Sequence, residues 1–457
     1  MSTQDKIDAV KSAISKKPPY VSGTLSLPSN AGLLFYRKGE ESSFLDLTAV
    51  SEAQLQALEQ ACEPATFGVN QKDVLDESYR KASKLDTSNF STNLDLSATQ
   101  LIDQIRKDLL EDYGGERGVI AELYKLNVYG PGSFFKAHKD TPRSGKMFGS
   151  LVVVFPTAHE GGCLILRQDG KEWTFDSAAV TSNTADPKAF FVAFYGDIEH
   201  EVSVVKSGYR VTLTYNLYFD DSPSSTIPTT ILGSEISLKD AFLALLADDG
   251  FLPTGGLVGF GLRFSYPITS YSTVTYLDHL LGSLKGEDAV LKRVCDDLSL
   301  KASLKVVYED KHRDGRFAMM DQPFSSSDTL DLDDIRIRED ILGGLVRDVG
   351  GQIVQDLKVD GTSFKAADEH RCDANPDSDL ETIAVLWITP LTKASHFKSS
   401  YLAYGNEPSL GYVYGDLCLV VMVGPKQHRS RVSQHLKERS ICSTSRFKKD
   451  RHMYGYV

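Results

Sequence analysis

The chain has 457 residues and a formal net charge of −12, with 41% apolar and 25% charged residues. The length is more than one compact core serves, so at least two domains are expected, and the composition excludes a largely disordered chain. The acidic balance disfavours general coating of nucleic acid, although a local basic patch would remain compatible with it.

The opening residues Met1–Ser15 are polar and charged. They lack the apolar stretch of a secretory signal, and none is expected. The longest apolar runs, such as Leu417–Val423, are strand-sized, so no membrane span is expected. The six cysteines are scattered without a C-x-x-C pair. They read as buried small hydrophobes in a reducing compartment, the cytoplasm or the nucleus.

In chain order, residues 1–50 read as a helix followed by extended segments, with Gly32–Tyr36 as one strand. Ser51 opens a helix in a capping box with Gln54, and Leu55, Leu58 and Cys62 share its apolar face. Ser97 is expected to cap a second helix, where Leu101, Ile102, Ile105 and Leu109 recur at helical spacing. Both helices are read as buttresses.

From Leu123 the periodicity changes. Leu123–Tyr129, Phe148–Phe155, Cys163–Arg167, Phe190–Phe194, His200–Val205 and Arg210–Phe219 are short β-rich runs between Gly, Pro, Asp and Asn breaks. Such spacing predicts an all-β sandwich or jelly roll over about 120–220. Asp220–Pro228 is the candidate linker. Beyond it, Leu238–Ala247 and Leu277–Leu298 are predicted helices. Leu304–Tyr308, Ile383–Thr389, Tyr401–Tyr404 and Leu417–Val423 are predicted strands, and Asp328–Asp340 an acidic surface loop. The tail 426–457 is basic, which suits either a docked helical end or an import or polyanion-binding segment.

Chemistry concentrates in the β-rich unit. His138 and Asp140 stand two residues apart, the spacing that puts two strand side chains on one face. His200 follows at the start of a strand that closure of a jelly roll returns beside the first. Two histidines and one carboxylate form a facial triad with open coordination positions, the arrangement for non-haem Fe(II) with O2, whereas structural zinc uses a closed set. Arg210, ten residues beyond His200, offers a rigid two-pronged donor to the far carboxylate of a dicarboxylic co-substrate. Thr212 shares its strand face. His312 and Asp314 repeat the His-x-Asp spacing in a polar stretch with no later histidine and arginine to match, and are read as a turn.

These residues resemble a known family. Tyr129-Gly130-Pro131-Gly132 running into His138-Lys139-Asp140, Gly161-Gly162-Cys163-Leu164, and the pair His200 with Gly208-Tyr209-Arg210 resemble the 2-oxoglutarate- and Fe(II)-dependent dioxygenases, in particular their prolyl 4-hydroxylase-like branch. The resemblance covers about 120–220. It implies a double-stranded β-helix (jelly-roll) fold with buttressing helices, metal ligands and catalytic residues His138, Asp140 and His200, and a distal-carboxylate site at Arg210 helped by Thr212 and Tyr129. Collagen-type prolyl hydroxylases carry lysine where this chain has Arg210, so the match is to the wider branch. Asn127, in Asn127-Val128-Tyr129, also resembles the co-substrate contact of nucleic-acid alkylation-repair dioxygenases; its other reading is a polar residue at a ladder end.

The expected architecture is α+β: a dioxygenase domain over 1–222, then a second α+β domain over 229–457. The expected cofactors are Fe(II), 2-oxoglutarate and O2, with ascorbate as a candidate reductant. The expected reaction is hydroxylation of an unactivated C–H bond, first of all on peptidyl proline or another protein or peptide residue. The alternatives are a small-molecule oxygenase, a nucleic-acid demethylase and a non-catalytic binding module. No membrane partner is expected. Asp76–Arg80 and Pro142–Lys146 are expected to flank the mouth, and a strongly positive rim is not. Trp173 and Phe175 are read as core or as a wall of the mouth, and His159 as a solvent-facing turn residue.

Overall fold

A computed structural model describes the chain except residues 15–16, 70–71, 111–116, 142, 182–186, 224–232, 267, 269–276, 311–315, 325–328, 332–340, 363–380, 405–408 and 430–457. His312 and Asp314, most of Asp328–Asp340 and all but the first residues of the basic tail lie outside the described residues. Among those described, no helix is long and apolar enough to cross a membrane.

Two compact units are present, Lys17–Thr230 and Met1–Lys16 with Ile231–Val457. The units part after Thr230, two residues beyond the linker Asp220–Pro228 expected from the sequence, and residues 1–16 group with the second unit rather than with the first. Burial explains the difference. The Thr3–Ala13 helix, capped reciprocally by Ser2 and Asp5, buries Ile7 and Val10. It packs against the Gly233–Leu246 helix and the Thr382–Thr389 strand. Its Lys6 also pairs with Asp248 at 2.7 Å.

In the Lys17–Thr230 unit two sheets form the jelly roll. The larger has seven strands, ordered Tyr20–Ser26, Lys188–Tyr195, Met147–Val154, Arg210–Pro223, Arg117–Tyr129, Ser83–Asp86 and Glu63–Pro64. The smaller has five: Lys171–Phe175, Leu164–Gln168, Glu199–Val202, Phe134–His138 and Arg80–Lys81. The pairings within both are antiparallel. Lys188–Tyr195 is buried along nearly its whole length, as a central strand covered on both faces must be. The helices Glu52–Ala61 and Leu101–Asp108 brace this sheet through Leu55, Leu58, Leu101 and Ile105. Tyr195 donates its hydroxyl to the Leu109 carbonyl at 2.6 Å and ties one helix end to the sheet. The Ser51–Gln54 capping box is present. Ser97 is not a cap, however: Asp95 accepts its amide and opens a 3-10 turn at Leu96–Ala98, and the following helix starts after Gln100 without a side-chain cap.

The second unit is also mixed α and β. Gly256–Gly261 pairs with both Thr382–Thr389 and Ser409–Val423, so six strands close into a ring with Gln352–Asp356, Phe317–Met320 and Lys301–Glu309. Two pairings within the ring are parallel, which separates it from the antiparallel jelly roll. Val307, Met319, Val385, Cys418 and Val420 fill its core. The single helix predicted over Leu277–Leu298 is two, Asp278–Leu281 and Gly286–Asp297. The interruption holds Gly282 and Lys285, and Gly286 adopts φ +44°.

Candidate metal and co-substrate site

His138 ends the Phe134–His138 strand and stands directly opposite His200 on Glu199–Val202. The register slips once between Phe135 and His138, which adds a residue to that strand and brings the two imidazoles onto one side. Their ring centroids are 4.1 Å apart. Asp140 lies just past the strand end, where its backbone N–H donates to the Gly196 carbonyl at 3.1 Å. The potential ligand atoms of His138, Asp140 and His200 all lie within 4.8 Å of one another, and no other such group occurs among the described residues.

The hydrogen bonds around the triad fix which atoms face inward. His138 Nδ1 donates to the Lys136 carbonyl at 2.8 Å and His200 Nδ1 to the Ile198 carbonyl at 3.0 Å. Nε2 of each ring is therefore the unprotonated nitrogen, free for a metal. Ser150 donates its hydroxyl to Asp140 Oδ2 at 2.5 Å, which leaves Oδ1 on the side of His200 Nε2, 3.7 Å away. Phe135 stacks on His138 at 3.5 Å, and Phe194 packs on His200 at 4.8 Å. Burial, aided by His200 and then Arg80, pushes His138 down to about 2. The ring is neutral at physiological pH, as a ligand must be.

Arg210 begins the central Arg210–Pro223 strand, opposite Tyr129 in register. It is 1% exposed, and its Nε has no hydrogen-bond partner. Burial pulls its guanidinium below its ordinary value. A buried cation without a carboxylate is costly, so the position fits an anion supplied from outside. The Gly161–Gly162 connection permits this geometry; it is not the hairpin expected from the sequence, because His159–Gly161 pairs with Val205–Gly208 and Leu164–Gln168 with Lys171–Phe175 and Glu199–Val202. Gly162 sits at φ +69°, and a Cβ there would lie 2.9 Å from Arg210 Cδ. Thr212 is buried on the same strand face, between Asn127 and Val154.

All seven residues predicted from the sequence line one cavity of 480 Å³. Asn127 differs in its employment. Its Oδ1 accepts from Arg80 Nη2 at 2.8 Å and its Nδ2 donates to Thr214 at 3.1 Å. It therefore holds Arg80 in the cavity wall, and Arg80 also donates to the Thr66 carbonyl at 2.7 Å. Ser150 and the Arg80–Asn127 link were not predicted. A serine in an apolar strand gives no sign of a partner ten residues earlier.

Tyr79 and Arg80 line the cavity, as do Arg143 from the other expected loop, whose Pro142 lies outside the described residues, and Thr141 just before that loop. The expectation of a rim without strong positive charge is overturned, because Lys125 and Lys139 join the lining while Asp76 and Glu77 do not. Trp173 and Phe175 pack on Tyr20 rather than on the cavity. His159 is half-buried and bonded to Thr157 and Ser177, not a solvent-facing turn residue.

Residues 124–218 match the family model of the 2OG-Fe(II) oxygenase superfamily. No curated protein matches the chain. Among solved structures, the chain is similar to a Pseudomonas putida prolyl-4-hydroxylase at 19% identity, over 46% of this chain and 98% of that one, with a TM-score of 0.28. It is similar to a Trichoplax adhaerens prolyl hydroxylase, solved with a hypoxia inducible factor peptide fragment, at 13% identity over 48% and 91%, with a TM-score of 0.28. A viral collagen prolyl hydroxylase from Paramecium Bursaria Chlorella virus-1 is similar at 11% identity over 44% and 97%, with a TM-score of 0.25.

Proposed function

We propose that the chain, which carries a 2OG-Fe(II) oxygenase domain dependent on Fe(II), 2-oxoglutarate and O2, hydroxylates an unactivated C–H bond of a protein or peptide, with peptidyl proline as the first candidate. The observation that carries the oxygenase reading is the pairing of an inward-facing His138–Asp140–His200 set with a fully buried Arg210 whose Nε has no hydrogen-bond partner.

In this reading His138 Nε2, His200 Nε2 and an Asp140 oxygen hold Fe(II). The iron, when bound, supplies redox activation of O2 coupled to oxidation of 2-oxoglutarate. The chain's own residues position. Arg210 binds the far carboxylate of 2-oxoglutarate, with Thr212 and Tyr129 beside it. Ser150 orients Asp140, and the Lys136 and Ile198 carbonyls fix the imidazole tautomers. Phe135 and Phe194 keep water from the ligand rings.

The choice of a polypeptide is supported by the open, polar side of the cavity. Thr141 and Arg143–Lys146 are exposed beside it, whereas a small-molecule oxygenase would favour an enclosed, mostly apolar pocket. The test is incubation of the Fe(II)-loaded protein with 2-oxoglutarate, O2 and a peptide library. Succinate formation and a peptide mass gain of one oxygen are expected. Succinate without any oxygenated peptide, together with oxygenation of a small metabolite, would favour the small-molecule reading.

A further inference from the structure

The cavity is opposite in sign to the protein. Arg80, Lys125, Lys139, Arg143 and Arg210 line it, and Asp140 is the only carboxylate in the lining among the described residues. The chain as a whole carries −12. Elsewhere in the same unit basic side chains find acids: Arg167 bonds Glu172 and Glu201, and Lys206 bonds Glu160. Lys125, Lys139 and Arg143 have no carboxylate partner among the described residues. Arg143 and Lys125 both approach one residue, Tyr124, at 4.2 and 4.5 Å from its ring centroid, and Arg143 also donates to the Tyr124 hydroxyl. Like charges held together repel, and at a cavity mouth they attract an anion. Fe(II) and a doubly charged 2-oxoglutarate cancel one another, so loading the site leaves the positive excess in place.

We propose that the substrate segment is acidic, and that Lys125, Lys139 and Arg143 read a carboxylate close to the residue being hydroxylated. This rests on the oxygenase reading above and names its substrate class. A long polyanion would run from the rim onto an acidic body, and Tyr124 already carries two cations against its ring rather than an open platform for a base. A short acidic stretch of polypeptide meets only the rim.

The probe is a set of proline-containing peptides with glutamate beside the proline, matched to glutamine versions, bound to the full chain loaded anaerobically with Fe(II) and 2-oxoglutarate. The glutamate peptides should bind about tenfold more tightly at low salt, and the preference should shrink as salt screens the rim. It should fall to roughly twofold in a Lys125→Gln, Arg143→Gln variant. Lys38→Gln, an exposed lysine outside the cavity, should keep the preference. Equal binding of the two peptide sets, or an equal loss in Lys38→Gln, would overturn the proposal. Displacement of the glutamate peptide by a single-stranded oligonucleotide or a small dicarboxylic acid at equal or lower concentration would overturn the peptide assignment. Glutamate preference without any succinate formation would instead overturn the oxygenase reading and leave the acidic-segment inference standing.

Discussion

Ser150 accounts for one Asp140 oxygen, so its hydroxyl decides which oxygen is presented to a metal. Ser150→Ala should lower Co(II) or Fe(II) affinity by about 10- to 100-fold, the usual cost of losing such an orienting partner, with little change in unfolding temperature. Metal titration followed by visible absorption checks this, and His138→Ala should abolish the signal altogether. Arg210 is the complementary case. Arg210→Ala should weaken 2-oxoglutarate binding on the order of 100-fold, the loss of about 3 kcal/mol of charge-assisted hydrogen bonding, while metal affinity holds. Arg210→Lys should recover part of the loss, because a point charge replaces the two-pronged geometry. Equal losses of metal and 2-oxoglutarate in Arg210→Ala would make Arg210 a structural residue.

At the scale of elements, the Gly161–Gly162 connection is where chain geometry and site meet. Gly162→Ala would put a methyl 2.8 Å from Val205 Cγ2 and 2.9 Å from Arg210 Cδ at a positive φ. It should therefore lower the unfolding temperature by several degrees, for roughly 1–3 kcal/mol of strain, and raise the 2-oxoglutarate requirement together with it. The glycine pair and the spacing of His138, Asp140 and His200 stand out in the sequence because strand alternation and the 60-residue return to His200 leave local marks, but the hairpin expected at the glycines is a connection between strands of different sheets. The Arg80–Asn127–Thr214 chain was not, since it joins three strands distant in sequence and each residue alone reads as an ordinary polar side chain. The same limit applies to the second unit. Its strands could be read, but the parallel neighbours Gly256–Gly261 and Thr382–Thr389 are more than a hundred residues apart, and periodicity carries no record of pairing. The broken helix before Lys301 shows the converse error. Apolar spacing runs through Gly282 to Gly286, but the first helix stops at Leu281, and Lys285 is extended at φ −116° and ψ 151° before the second opens at Gly286.

At the scale of the molecule, acidity itself has a structural consequence in the unit that contains Ile231–Val457. Asp288 in the Gly286–Asp297 helix is 4% exposed. It accepts from the Arg263 and Phe264 backbone N–H groups and, at 2.8 Å, from the Tyr266 hydroxyl. Burial outweighs these donors and pushes its carboxyl up to about 7. In the unfolded chain the same carboxyl titrates near its ordinary value of 3.8. Between those two values the folded state binds more protons than the unfolded one, so stability falls as pH rises. The loss should be complete above about pH 7 and amount to a few kcal/mol, since each tenfold difference in proton affinity between the two states corresponds to about 1.4 kcal/mol. The unfolding temperature of this unit, followed by calorimetry from pH 5 to pH 8, should therefore decline. Asp288→Asn should flatten that decline, because no proton is exchanged, and should lower the unfolding temperature at pH 5, because its amide cannot reproduce every accepted bond. A rise in unfolding temperature from pH 5 to pH 8 that persists in Asp288→Asn would show that Asp288 is ionised in the folded protein and held by its donors rather than penalised by burial.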